Sequence, residues 1–144
     1  MKKNNLHILF GITGLMILLI SSIILENVIF NYKDTYYVID SRTFGFGAFA
    51  FYIVCALIYF SIKKSAYFLG ILNLSFVTLY ALYLMFMEVI LEIIPPREYL
   101  ENPMILKINS YLPLGMFIIF ILGNMFMVLN VTKSIIGSKP QAST

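Results

Sequence analysis

Hydrophobic residues occur along this chain in four long blocks that are separated by short polar stretches. Blocks of about 18 or more apolar residues are typical of membrane-spanning helices. The pattern predicts spans at about residues 6–30, 43–62, 66–94 and 111–131, followed by a polar C-terminal tail at 132–144. The predicted fold is therefore an all-α integral membrane protein, a single membrane domain folded as a four-transmembrane-helix bundle.

The polar stretches between the spans predict loops at residues 31–42, 63–65 and 95–110. The connection at 63–65 is so short that the second and third helices are expected to be antiparallel neighbours. Pro95 begins a Pro-Pro pair that cannot continue a helix, so the third span is expected to end there. Pro113 falls in the first turn of the fourth span, where the missing N–H costs little.

Charge is scarce and unevenly placed. Hydrophobic residues make up 60 % of the chain and charged residues 12 %, whereas about 25 % is usual in a soluble domain. The side that holds both termini carries six bases and no acid, and the opposite side carries four bases and seven acids. Because an excess of Lys and Arg marks the cytoplasmic side, both termini are predicted to be cytoplasmic. The expected location is the bacterial cytoplasmic (inner) membrane, crossed several times.

The residue inventory excludes several kinds of chemistry. Cys55 is the single cysteine and His7 the single histidine, which excludes a disulfide framework, a multi-cysteine metal site and bis-histidine haem ligation within one chain. No catalytic or nucleotide-binding motif is present, and no Ser/His/Asp set can form around His7 at the membrane edge. The chain is expected to be a non-enzyme without cofactor, metal or nucleic-acid partner.

Helical spacing predicts which face of each span is inward. Small and polar residues recur along one stripe of every span, and such residues let helices approach closely in lipid, where the hydrophobic effect between helices is weak. The predicted inward stripes are Gly11, Leu15, Leu18, Ser22 and Glu26; Gly45, Ala48, Tyr52, Ala56 and Tyr59; Ala66, Gly70, Asn73, Val77, Ala81, Leu84, Glu88 and Glu92; and Gly115, Ile119, Gly123, Phe126 and Asn130.

Three glutamates stand at the outer ends of these stripes. Glu26, Glu88 and Glu92 share the outer side with Arg97. From Lys64 to Glu88 a helix rises about 36 Å, more than the roughly 30 Å of a bilayer core, so these carboxylates are expected near the surface. They are either a hydrated or ion-paired rim, or an acidic pocket that binds a cation or a basic partner.

Two asparagines lie within predicted spans. Asn73 is on the packing face of its helix and is expected to make an interhelical hydrogen bond. Asn124 lies near mid-bilayer and points about 140° away from the stripe of Gly115 and Gly123. It is expected to meet either another helix of the bundle or a partner chain. Tyr59, close to a span end, is expected to belong to the interfacial belt of aromatic side chains.

These observations favour a non-catalytic small membrane subunit or accessory protein that packs within a larger membrane assembly. The alternative is a small oligomeric channel or transporter whose outer glutamates form a vestibule that attracts cations. The expected partners are the lipid bilayer and other membrane subunits or further copies of the chain.

Overall fold

The computed structural model describes residues 5–24, 28–32, 35–62, 66–93 and 103–136; for residues 29–32, 35–37, 87–93 and 103–110 only the backbone is described. Four helices dominate the described chain. They are α1 (Leu6–Ile23), α2 (Ser41–Ser61), α3 (Tyr67–Ile93) and α4 (Pro103–Ile136).

Each of the four helices contains an apolar segment long enough to cross a membrane, judged by length and composition. The predicted all-α class is thus supported, and four helices have the length and composition of membrane spans. The third span matches its prediction within one residue at each end, since α3 runs from Tyr67 to Ile93.

The first span is shorter than predicted. α1 ends at Ile23, and the apolar residues after it form β1 (Val28–Tyr32), which pairs antiparallel with β2 (Thr35–Ile39). The predicted loop at 31–42 is therefore largely a β-hairpin. The sequences VIFNY and TYYVI are rich in β-branched and aromatic residues, which favour strands, and only two residues separate them.

The second and fourth helices begin earlier than predicted. α2 starts at Ser41 because the Asp40 carboxylate accepts a hydrogen bond from the Thr43 backbone N–H, at 3.1 Å, and so caps the helix. α4 starts at Pro103, which suits a first helical position, and Pro113 lies inside it. α4 also continues to Ile136, so the first residues of the predicted tail are helical.

The helices pack as two pairs, α1 with α2 and α3 with α4. α1 and α2 approach closely at two glycines. A Cβ on Gly45 would overlap the Ser21 side chain, and a Cβ on Gly14 would lie 2.6 Å from the Tyr52 Cβ. The Ser41 hydroxyl links the start of α2 to the end of α1, because it lies 2.8 and 2.6 Å from the carbonyl oxygens of Ser21 and Ile24.

The two pairs meet through α1 and α3 and through side chains that reach from α2. Leu6 of α1 contacts Gly70 of α3. Tyr52 of α2 is buried, and its hydroxyl makes a 2.9 Å hydrogen bond with the Thr78 hydroxyl of α3. Phe10 of α1 stacks on Tyr59 of α2 with ring centroids 4.9 Å apart. An aromatic layer therefore fills the space between the pairs.

The predicted inward faces are right for α2 and α3 and wrong for α1. α2 buries Gly45, Tyr52 and Tyr59 of its predicted stripe, and α3 buries Gly70, Asn73, Val77 and Ala81. α1 instead buries the line of Leu6, Phe10, Gly14, Ile17 and Ser21. This line is displaced by one residue, about 100° around the helix. α1 carries small residues on both lines, Gly11 and Ser22 on the predicted one and Gly14 and Ser21 on the observed one, so small residues alone do not identify the buried face.

Candidate functional site

A buried polar cluster joins α2, α3 and α4. It consists of Tyr59, Asn73 and Asn130, whose side chains are at most 3 % exposed. The Asn73 Nδ2 donates to the Gly123 carbonyl oxygen of α4 at 2.8 Å, and the Tyr59 hydroxyl donates to the Asn73 Oδ1 at 3.4 Å. One amide thus connects three helices, and the interhelical hydrogen bond expected of Asn73 is present.

The Asn130 amide holds the chain where α3 begins. Its Oδ1 accepts from the Ala66 N–H at 2.7 Å, and its Nδ2 donates to the Ala66 carbonyl at 3.0 Å. Ala66 directly precedes α3, whose first backbone N–H groups have no partner within the helix. Asn130 therefore ties the C-terminal part of α4 to the start of α3 through both of its polar atoms. It is also a polar neighbour of the Tyr59 hydroxyl.

Gly123 is the point of close approach between α3 and α4. A Cβ there would lie 3.0 Å from the Phe76 Cβ and 3.5 Å from the Asn73 carbonyl oxygen. Gly115 behaves differently, because no atom of the described chain lies within 4 Å of a Cβ placed on it. Gly123 is thus buried against α3, as its inward stripe predicts, whereas Gly115 is exposed among the described residues, and its contact with a helix or a partner stays a prediction. Met116, the next residue along, is the one that α4 buries at this level.

For two members of the cluster, Tyr59 and Asn130, the structure gives contacts that the sequence alone does not predict. The sequence places Tyr59 both on the inward stripe of the second span and near a span end, where the aromatic belt is expected; Tyr59 is buried among helices, as the inward stripe predicts. Asn130 was recognised as inward-facing, but its partner is a backbone group 64 residues away. Asn130 lies seven residues beyond Gly123, just as Ala66 lies seven residues before Asn73, and this antiparallel register of α3 and α4 brings Asn130 to Ala66.

Asn124 faces away from this cluster. It is half-buried, and its Nδ2 donates to the Phe120 carbonyl oxygen of its own helix at 2.9 Å. In the described chain Asn124 makes no hydrogen bond to another helix, so the predicted contact with another helix of the bundle is not found there as a hydrogen bond. Asn124 instead lines an open groove of about 390 Å³ on the outside of α4, together with Phe120, Ile121, Met125 and Val128.

The predicted outer acidic cluster falls outside the described side chains. α3 extends through Glu88 and Glu92, as its backbone shows, but their side chains, Glu26 and Arg97 lie outside the described residues. α1 ends at Ile23, and the predicted place of Glu26 on an inward stripe lies outside the described residues. Among the residues that the structure describes, no three His, Cys, Asp or Glu side chains come together as a metal site would require.

The described site can hold helices together, and it offers neutral amide, hydroxyl and carbonyl groups for doing so. Comparisons with protein-family models, with curated proteins and with solved structures found no match for this chain.

Proposed function

We propose that the protein is a non-catalytic integral membrane subunit that packs through its fourth helix within a larger membrane assembly. The proposal places α1 to α4 across a bacterial cytoplasmic membrane with both termini inside. It is supported by four apolar helices of sufficient length and by the excess of bases on the side of the termini.

The use of the buried polar groups supports a structural role. Ser21, Ser41, Asn73 and Asn130 are buried, and each of them lies within hydrogen-bonding distance of a backbone carbonyl oxygen. Buried polar residues in an active site are commonly held ready for a substrate. In this chain Ser41, Asn73 and Asn130 join one helix to another or to a helix end, and the Ser21 hydroxyl bonds within α1.

The observation that carries the proposal is that the rest of the chain covers less of α4 than of the other three helices. Only 11 % of the residues in its apolar window are buried within the chain, against 22 to 28 % in the other three helices. α4 packs mainly against α3, and much of its remaining circumference is apolar and exposed. A helix attached at the edge of a bundle in this way is well placed to contact a neighbouring membrane protein as well as lipid.

Affinity purification of the tagged full-length chain from membranes in mild detergent tests the proposal. We expect another membrane protein to copurify in a fixed ratio. The complex should be lost when the exposed α4 residues Ile118, Leu122 and Leu129 are all changed to Ala, because their side chains supply the packing surface.

A matched control changes three similarly exposed α1 residues, Ile12, Met16 and Leu19, to Ala. This control should keep the complex. A protein that purifies without any other membrane protein, or a partner that is retained equally by both triple variants, contradicts the proposed function.

A further inference from the structure

A second feature of α4 points to a particular partner. Residues on its outer side recur at alternating intervals of three and four positions, which is the heptad spacing of a coiled-coil seam. The seam consists of Leu114, Phe117, Ile121, Asn124, Val128, Val131 and Ile135. Every member except Asn124 is apolar, and none is charged. The seam lies about 100° around the helix from Gly123, which faces α3, and from the buried Met116, and five of its seven members are exposed in the part of the chain that the structure describes.

Asn124 occupies the centre of this seam with unused hydrogen-bonding capacity. The apolar window of α4 runs from Tyr111 to Ile136, so Asn124 lies about 20 Å from either end. One amide N–H is taken by the Phe120 carbonyl, whereas the Oδ1 accepts no hydrogen bond from any described residue. A carbonyl oxygen and a second N–H thus have no partner among the described residues, and within a hydrocarbon layer an unmet polar group is costly.

The groove beside Asn124 has the form of a coiled-coil hole. Ile121, Asn124, Met125 and Val128 line it, and they stand at positions i, i+3, i+4 and i+7. Such a four-residue set receives one side chain from a facing helix in knobs-into-holes packing. The shape of the surface and the spacing of the seam therefore agree on the same kind of occupant, a helix that runs alongside α4.

We propose that this occupant is α4 of a second copy of the chain, in a parallel pair with Asn124 at the two-fold axis. An amide carries both a donor and an acceptor, so two Asn124 side chains opposed across the axis satisfy each other. Two copies inserted in the same orientation present parallel helices, and one buried Asn in an otherwise apolar seam fixes both register and a two-stranded state. The uncharged seam adds no repulsion between copies. The inference rests on the membrane insertion assumed in the proposed function.

Disulfide cross-linking in native membranes tests the pairing. In a Cys55→Ala background, Val128→Cys places a thiol on the seam, and Leu129→Cys places one about 100° away around the helix with similar exposure, 59 % against 52 %. We expect oxidation to convert the Val128→Cys protein to a covalent dimer and to leave the Leu129→Cys protein largely monomeric. Asn124→Leu should reduce self-association about tenfold, while Asn124→Gln, which retains the amide, should preserve most of it.

Equal cross-linking at Val128→Cys and Leu129→Cys, or an undiminished dimer in Asn124→Leu, overturns the inference. Because the hydrogen bond that Asn124 makes in the described chain is to its own helix, Asn124→Leu is not expected to unfold the bundle, and the thermal unfolding of that variant checks this. The outcome is separable from that of the proposed function. A cross-linked dimer without any other copurifying protein would support self-pairing and contradict the larger assembly, and a stable complex with a different protein but no Val128→Cys dimer would do the reverse.

Discussion

Gly45→Ala is expected to lower the stability of the bundle more than other single methyl additions on its helices. The new Cβ would overlap the Ser21 side chain where α1 and α2 touch. Both helices are held there by further contacts, including the Ser41 hydroxyl at the carbonyl oxygens of Ser21 and Ile24. The added methyl group therefore has to move a helix backbone, and overpacking of this kind costs about 1–3 kcal/mol or more.

Gly47→Ala is the matched control for this prediction. Gly47 lies two residues further along α2 and has no described atom within 4 Å of an added Cβ. Alanine is favoured over glycine in a helix by up to about 1 kcal/mol, so this variant should be as stable as the original or slightly more stable.

Cys55 provides a natural probe for the measurement. It is the single cysteine of the chain and is 1 % exposed, so a thiol-reactive dye should label it only when the bundle opens. We expect Gly45→Ala to lower the labelling midpoint by about 5 °C or more and Gly47→Ala to leave it unchanged or raise it. Equal midpoints for the two variants would show that α1 and α2 are not in close contact at Gly45.

Asn73→Leu is expected to have the second largest effect. Leucine has a similar volume but removes the hydrogen bond to the Gly123 carbonyl and the acceptor of the Tyr59 hydroxyl. Interhelical hydrogen bonds in membranes contribute about 0.6 to 2 kcal/mol each, and the Tyr59 hydroxyl is left without this partner in a buried site. We expect a loss of about 1–3 kcal/mol in the free energy of unfolding.

Asn124→Leu serves as the comparison, since among the described residues its amide bonds only within α4. In monomeric protein it should change the unfolding midpoint little. A double-mutant cycle of Asn73→Leu with Tyr59→Phe measures the coupling of the two side chains. Additive effects, or an Asn73→Leu protein as stable as the original, would contradict the role assigned to the cluster.

The sequence predicted most of the helical framework because hydrophobic length is a strong signal in membrane-type chains. It placed α3 within one residue at each end, and it identified the inward faces of α2 and α3, where a polar residue or several small ones mark one side. Asn73 could be assigned to a helix contact for the same reason. At these positions the small and polar residues that mark an inward face in the sequence are also the ones buried between helices in the structure.

The remaining features depend on information that hydropathy does not carry. Val28 is as apolar as a residue of a span, but it belongs to a strand and is buried there, because hairpin pairing is decided by the partner strand. The face of α1 is set by Tyr52 and Ser21 meeting glycines on the opposite helix, and a sequence with small residues on both lines of α1 does not reveal such pairings. Asn130 finds its partner at Ala66, a backbone group that no side-chain pattern identifies.

The central claim, four helices across a membrane with both termini in the cytoplasm, is tested most directly by cysteine accessibility. In a Cys55→Ala background, Val38→Cys lies on the exposed β2 strand and Lys133→Cys on an exposed position near the end of α4. A membrane-impermeant maleimide should label Val38→Cys in intact cells and Lys133→Cys only after the membrane is permeabilised. Labelling of Lys133→Cys in intact cells, or equal labelling of both sites before permeabilisation, would contradict the account.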